Sequence, residues 1–359
     1  MVDTTADTRK VLQPIHPDFV SKLLPEYVAH HNATTAFVPP IYSVPWNPAV
    51  RNGPAVFGGS EPLKVGDIKD IPLSHCDMRV FTPEGSPPPD GWPVFIFFHG
   101  GGWCLGNIST ENSFSTHMCK NANSVVVSVD YRLGPEQPYP AAVDDAWESL
   151  QWVFKHGPSE IGVNPGKIAV GGSSSGGNLA AVLTHKASQA EPPIPLILQL
   201  LVVPVTDNTA GADGVPYSSW RENALTPALD PGRMLWFRDN YLPNVADRSK
   251  WDNSPILAPD EWFAKAPKAW IGVAERDLLR DEGIAYGEKL RAAGVEVEIK
   301  VYKDAPHPIM AQDDLSLRVR ARVIIHEIFH ILIMPHSVLK VGKQLVADAG
   351  AALAKAFQA

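Results

Sequence analysis

From residue 94 onward the chain repeats one unit: a short, almost continuously apolar run followed by a segment with helical periodicity. The runs 94–98 (VFIFF), 124–129 (SVVVSV), 167–172 (KIAVGG), 196–203 (LILQLLVV), 269–274 (AWIGVA) and 297–302 (VEIKVY) read as buried strands. Runs that lack polar alternation belong in a sheet covered on both faces, which is the environment of parallel strands. Between them, 140–156, 177–190 and 282–293 read as helices, and Gly294 stands where a left-handed residue would end the last of these. Strand–helix–strand connections of this kind are right-handed. The chain is therefore expected to form an α/β fold, a mostly parallel central sheet flanked by helices. The run from Val65 to Phe81 is expected to add antiparallel edge strands.

Two segments stand outside this alternation. Residues 1–60 read as helix and loop with apolar spots at Phe19, Leu23, Leu24 and Tyr27, and residues 208–250 carry Tyr217, Trp220, Leu225, Met234, Trp236 and Phe237. Both are expected to pack as a helical cap over the C-terminal edge of the sheet, leaving 61–207 and 251–359 as the core domain. Apolar side chains on that scale form a patch that needs an occupant, and a small apolar substrate is the simplest one. Trp103, Trp220, Trp236 and Phe237 are the expected substrate-facing side chains.

Composition narrows the class of partner. The formal net charge of the 359 residues is -8, and no block of Lys or Arg stands out, so nucleic acid is not an expected partner. Cys76, Cys104 and Cys119 are an odd, sparse set that gives no disulfide framework. The first residues have no apolar core of a secretory signal, and the longest apolar run, Val323 to Met334, is too short to span a bilayer and contains His326, Glu327 and His330. A cytoplasmic location without membrane insertion is expected.

The chemistry sits at the ends of the strands. Gly172-Ser173-Ser174-Ser175-Gly176 follows one strand and opens a helix, the context of a nucleophile elbow in which Ser174 is lifted above the sheet. His99-Gly100-Gly101-Gly102-Trp103 directly follows another strand, and its glycines leave backbone N–H groups free to meet a developing oxyanion. A phosphate-cradling loop would need a helix to start on these glycines or a P-loop Lys, and neither is present. His99 reads as a residue that fixes this loop. An acid and a general base should follow the nucleophile in chain order. His307 lies just past the last expected strand, unlike His326, His330 and His336. For the acid, Asp277 follows the strand 269–274, with Glu275, Asp281 and Asp304 competing and Glu275 the serious rival; Asp281 and Glu282 read as the start of the next helix, where carboxylates favour the dipole.

Together, HGGGW, DYRLGPEQPYPAAVDD (130–145), GSSSGGNLAA (172–181), DLLRDEG (277–283) and APHPIM (305–310) resemble the hormone-sensitive-lipase family of esterases, in that family's order over about residues 65–310. The resemblance implies an α/β-hydrolase fold and a carboxylic ester hydrolase with Ser174 as nucleophile, His307 as base and Asp277 as its orienting acid. It implies an oxyanion hole from the amides of Gly101, Gly102 and Ser175, and a two-part cap. It implies no metal or organic cofactor, a small-molecule ester as substrate, and a homodimer as one assembly open to it. An amidase or lactonase on the same triad, and a non-catalytic receptor of the same fold, are the alternative readings. The chain departs from the family pattern at Ser173, where an Asp is usual, at Ser175, at Leu278 and at Pro308.

Residues 311–336 have no counterpart in that pattern. They contain His326-Glu327-Ile328-Phe329-His330, which matches the HExxH string of zinc peptidases, with no obvious third ligand. The segment reads as an insertion, not as a metal site.

Overall fold

The computed structural model describes residues 9–53, 59–307, 309–312 and 340–358. The apolar runs become strands of one sheet: β1 (Asp67–Pro72), β2 (Asp77–Thr82), β3 (Trp92–Phe98), β4 (Val125–Val129), β5 (Val163–Ser173), β6 (Leu198–Val202), β7 (Lys268–Arg276) and β8 (Val297–Pro306). Their order is β1-β2-β4-β3-β5-β6-β7-β8. β2 is antiparallel to both β1 and β4, as expected of an edge, and the remaining pairs are parallel. β5 begins four residues earlier than its apolar run, because Trp92 pairs with Val163 beyond an irregularity in the ladder.

The continuous apolar runs are explained by two covered faces. On β3, Val94, Ile96 and Phe98 enter one core layer while Phe95 and Phe97 enter the opposite one, as the two-residue period of a strand requires. The longer helices among the described residues are α1 (Pro25–Ala33), α2 (Asn112–Ala122), α3 (Ala141–Glu160), α4 (Ser175–Gln189), α5 (Pro231–Tyr241), α6 (Arg280–Ala292) and α7 (Lys340–Gln358). α3, α4 and α6 cover the first face with Leu150, Val153, Leu183 and Leu290. α2 and α7 cover the other; Leu345, Ala349, Leu353 and Phe357 of α7 recur every four residues and so form one buried stripe. Gly294 has a φ of 89°, the left-handed end expected after α6.

Described residues of both segments outside the alternation line one cavity with the C-terminal ends of β3 and β5. Ile15, Phe19, Leu23 and Tyr27 form a small cluster of their own. It is tied to the sheet by the Leu24 N–H donating to the Asp304 carbonyl (3.3 Å) and by Arg276 Nε donating to the Lys22 carbonyl (3.1 Å). α5 is held from below by Tyr241, whose ring stacks on Trp103 at 4.4 Å. All three cysteines are free thiols, and no helix among the described residues is long and apolar enough to cross a membrane.

Candidate active site

The turn between β5 and α4 is built by close approach. A Cβ on Gly176 would overlap the carbonyl of Phe98 at the end of β3, so only glycine lets the helix start this near the sheet. Ser174 is consequently held at φ 53° and ψ -116°, a region that L-residues rarely adopt. Its backbone is locked there by its N–H donating to Val202 O (2.8 Å) and by its own carbonyl accepting from Asn178 N (3.1 Å).

Three strand ends then converge. His307 follows β8 by one residue, and its Nε2 lies 3.0 Å from Ser174 Oγ while its Nδ1 lies 2.8 Å from Asp277 Oδ2. Asp277 follows β7 and is fully buried; its Oδ1 also accepts the N–H of Leu279 (3.1 Å). A carboxylate facing Nδ1 fixes the proton on that nitrogen, leaving Nε2 to accept from the Ser174 hydroxyl. Glu275 is turned elsewhere: its Oε2 accepts the Asp304 N–H (2.9 Å), and its Oε1 pairs with Arg276 (3.3 Å). The geometry therefore favours Asp277 over its rival. His326, His330 and His336, with the whole HExxH string, lie outside the described residues, as does Pro308. Among the described residues no cluster of His, Cys, Asp and Glu is arranged to hold a metal ion.

The glycine loop after β3 faces Ser174 across the same cavity. Gly102 has a φ of 61°, and a Cβ on it would strike the ring of Phe237. Position 102 therefore needs glycine both for its conformation and for the close approach of α5. Ser175 is the first residue of α4, so its N–H has no acceptor within the helix. His99 acts as the loop's fastening: its Nδ1 lies 2.7 Å from the Gly100 carbonyl and its ring stacks on Tyr131 at 4.4 Å. Burial pushes the His99 imidazolium down to about 4, so the ring stays neutral near pH 7.

Ser174 and His307 open into a cavity of about 840 Å³ lined by Gly100, Gly101 and Gly102, by Tyr27 and Val38 of the N-terminal segment, and by Leu229, Arg233, Met234 and Phe237 of the later one. Of the four aromatic residues expected to face substrate, Phe237 does so. Trp103 borders the cavity, with its ring fully buried against Tyr241. Trp220 and Trp236 do not line it. Trp220 is buried, and its indole N–H donates to Glu282 Oε2 (3.4 Å). Trp236 packs instead on Trp46, 5.7 Å between ring centres, and edge-on against Phe237. An indole has an apolar body and one donor, so a carboxylate or a second indole inside the segment competes with the cavity for it.

Two carboxyl groups matter here beyond what the spacing indicated. Glu282, expected only to open α6, is fully buried and accepts the N–H of Thr206 (2.8 Å), fixing the chain after β6. Burial raises its carboxyl well above the usual range, and nearby Asp207 adds to that. Glu111 reaches Ser173 across a separation of 62 residues, which no local pattern reveals.

The mostly parallel sheet and the strand–helix turn that holds Ser174 define an α/β-hydrolase fold. A sequence model of the α/β-hydrolase fold matches residues 95–311. The chain is 48% identical over 326 residues to an AB hydrolase superfamily protein of Schizosaccharomyces pombe, covering 87% of this chain and 94% of that one. It is 42% identical over 228 residues to the carboxylesterase NlhH of Mycobacterium tuberculosis, covering 63% of this chain and 69% of that protein. A thermostable esterase from Pseudomonas putida superposes with a TM-score of 0.79 at 31% identity, covering 94% of this chain and 98% of that one. The chain belongs to the α/β-hydrolase family, in its hormone-sensitive-lipase and carboxylesterase branch.

Proposed function

We propose that the protein is a carboxylic ester hydrolase that works through Ser174, His307 and Asp277 and a covalent acyl-enzyme. The observation that carries the reading is the hydrogen-bonded line from Asp277 through His307 to a strained Ser174, at 2.8 and 3.0 Å, on the wall of a cavity with apolar lining. Ser174 Oγ attacks the ester carbonyl carbon while His307 Nε2 takes the hydroxyl proton. Asp277 holds the ring in the required tautomer and stabilises the imidazolium. The amides of Gly101, Gly102 and Ser175 receive the oxyanion. Collapse breaks the carbon–oxygen bond to the alcohol, which leaves with the proton from His307. Water then repeats the attack with His307 as base, the carboxylic acid departs, and Ser174 regains its proton.

The same reading assigns the segments 1–60 and 208–250 to a substrate-enclosing cap. A cavity of about 840 Å³ walled by Tyr27, Val38, Leu229, Met234 and Phe237 suits small to medium apolar acyl or alcohol groups. A p-nitrophenyl ester series of increasing acyl length tests this. Turnover is expected on the short and medium members and should disappear in Ser174→Ala and after treatment with a serine-directed phosphonate. Ester turnover that survives both treatments would overturn the assignment.

A further inference from the structure

We propose that Glu111 is a positioning residue: its carboxyl ties the turn that carries Ser174 to the loop that receives the oxyanion. The inference rests on the hydrolase reading above and assigns a role to a group which that mechanism does not use.

The tie is explicit in the geometry. Ser173, the residue before the nucleophile, donates from its Oγ to Glu111 Oε1 at 2.7 Å. The other oxygen, Oε2, accepts the N–H of Gly100 at 3.3 Å, at the start of the glycine loop. The two segments approach each other closely here: a Cβ on Gly100 would stand 2.7 Å from Ser173 Oγ. Glu111 stands at the start of α2 and its side chain caps nothing in that helix. It points instead into the gap, where it is 8% exposed, and among the described residues no Lys, Arg or His forms an ion pair with it. Burial pushes its carboxyl up to about 7, against the two hydrogen bonds that favour the anion.

A buried carboxyl without a cation is a costly occupant for a site that needs only filling. Both of its oxygens are engaged by the two segments whose spacing decides catalysis. Tyr131 makes a second tie between the same segments, its hydroxyl donating to the His99 carbonyl at 2.8 Å and lying 3.4 Å from Ser175 Oγ. Glu111 and Tyr131 thus fix the turn against the loop on either side of Ser174, through Ser173 and Ser175. Position 173 carries no carboxylate of its own; the Ser173 hydroxyl instead engages the one supplied from position 111.

Oxyanion donors act on the transition state more than on the bound ester, so a loosened tie should lower kcat and spare KM. Leu at 111 keeps the volume and removes both hydrogen bonds. Gln keeps one acceptor for Gly100 and offers an N–H that Ser173 can accept by turning its hydroxyl. With active sites counted by phosphonate labelling, Glu111→Leu should show kcat per labelled site about 10- to 100-fold lower, less than the roughly 10²- to 10³-fold cost of losing an oxyanion donor outright, with KM within about twofold. Glu111→Gln should recover most of the loss. If the Leu variant does not fold, Ser173→Ala cuts the tie from the other side and should lower kcat severalfold at constant KM. A Leu variant with wild-type kcat, or Gln and Leu variants that are equally impaired, would overturn the proposal. Ser174→Ala run alongside separates the two readings: wild-type turnover in that variant overturns the assignment of Ser174 as nucleophile, whereas an inactive Ser174→Ala beside a fully active Glu111→Leu overturns only the tie.

Discussion

The rim formed by the ends of β3, β5, β7 and β8 and the aromatic segment from 208 to 250 lie on two sides of one cavity, yet they answer to different constraints. At the rim, backbone geometry dictates residue type. Gly176 has no room for a Cβ beside Phe98, and Ser174 is held at φ 53° by the turn that follows. At the large aromatic positions of the other segment no such backbone constraint operates. Trp220, Trp236 and Phe237 are all large and apolar, but one donates to Glu282, one packs on Trp46, and one meets the cavity. A site that demands a particular backbone leaves a mark on the sequence. A surface that demands only apolar bulk does not say which side chain will face inward.

The largest test of that contrast is at the nucleophile. Ser174→Ala should lower kcat by on the order of 10⁴-fold or more while thermal unfolding stays cooperative. Ser175 contributes its backbone N–H, so Ser175→Ala should retain most activity. A dead Ser175→Ala beside an active Ser174→Ala in ester assays would move the elbow by one residue and break the reading of the rim.

Asp277 against Glu275 comes next. Asn at 277 keeps the shape but offers His307 an amide, and kcat should fall by roughly 10³- to 10⁴-fold. Gln at 275 loses only part of the contact to Asp304 N and Arg276, and should leave kcat within a few-fold. Steady-state kinetics of the two variants rank them directly.

How much of this was readable follows from the same contrast. The strands, their parallel pairing and the antiparallel edge came from runs such as VFIFF and SVVVSV, whose faces are buried in two layers. The convergence of Ser174, His307 and Asp277 was legible because each lies within a few residues of a strand end. Trp220 and Trp236 were misplaced because composition carries no direction. Glu111 was missed altogether: its partner stands 62 residues away, and a Glu at a helix start ordinarily reads as a dipole or capping residue. The extension of β5 back to Val163 was hidden by Pro165 and Gly166, which a strand tolerates near an irregular register.

The rim should also carry a stability penalty that the aromatic segment does not. Glu111 has its carboxyl raised from an ordinary 4.5 to about 7. A raised pKa means that the folded state holds the proton more tightly than the unfolded chain. Its stabilising contribution is therefore complete below about 4.5 and is lost as pH rises through about 7. At 1.36 kcal/mol per unit, that loss is on the order of 3 kcal/mol. Glu111→Gln does not titrate, so its melting temperature relative to wild type should climb between pH 4.5 and 7 and level off above. A difference in Tm that stays constant across this range would remove the buried charge as its cause.

Within the aromatic segment, Phe237 is the residue expected to answer to substrate. Its ring lies against Gly102 and lines the cavity. Phe237→Ala should enlarge the pocket beside the oxyanion loop and lower kcat/KM for acetyl esters by about tenfold, the scale of one lost apolar contact in a pocket. Longer acyl chains should lose less, so the chain-length profile shifts upward. An unchanged profile would place the acyl group elsewhere in the cavity.

Trp236 supplies the smallest kinetic effect and the cleanest contrast, because it is the next residue in the chain, of the same class, and turned the other way. Its ring lies 5.7 Å from Trp46 and 5.3 Å from Phe237, outside the cavity wall. Trp236→Ala removes the packing partner of Trp46, a change that should cost about 1–2 kcal/mol of stability. Trp46 still donates from its indole to Glu136 (2.9 Å), so the N-terminal segment keeps a polar anchor there. Kinetic constants across the ester series should therefore remain within about twofold of wild type while Tm falls. If instead Trp236→Ala reproduced the chain-length shift of Phe237→Ala, the two rings would act as one wall, and the division between a cavity-facing and an inward-packing aromatic would fail.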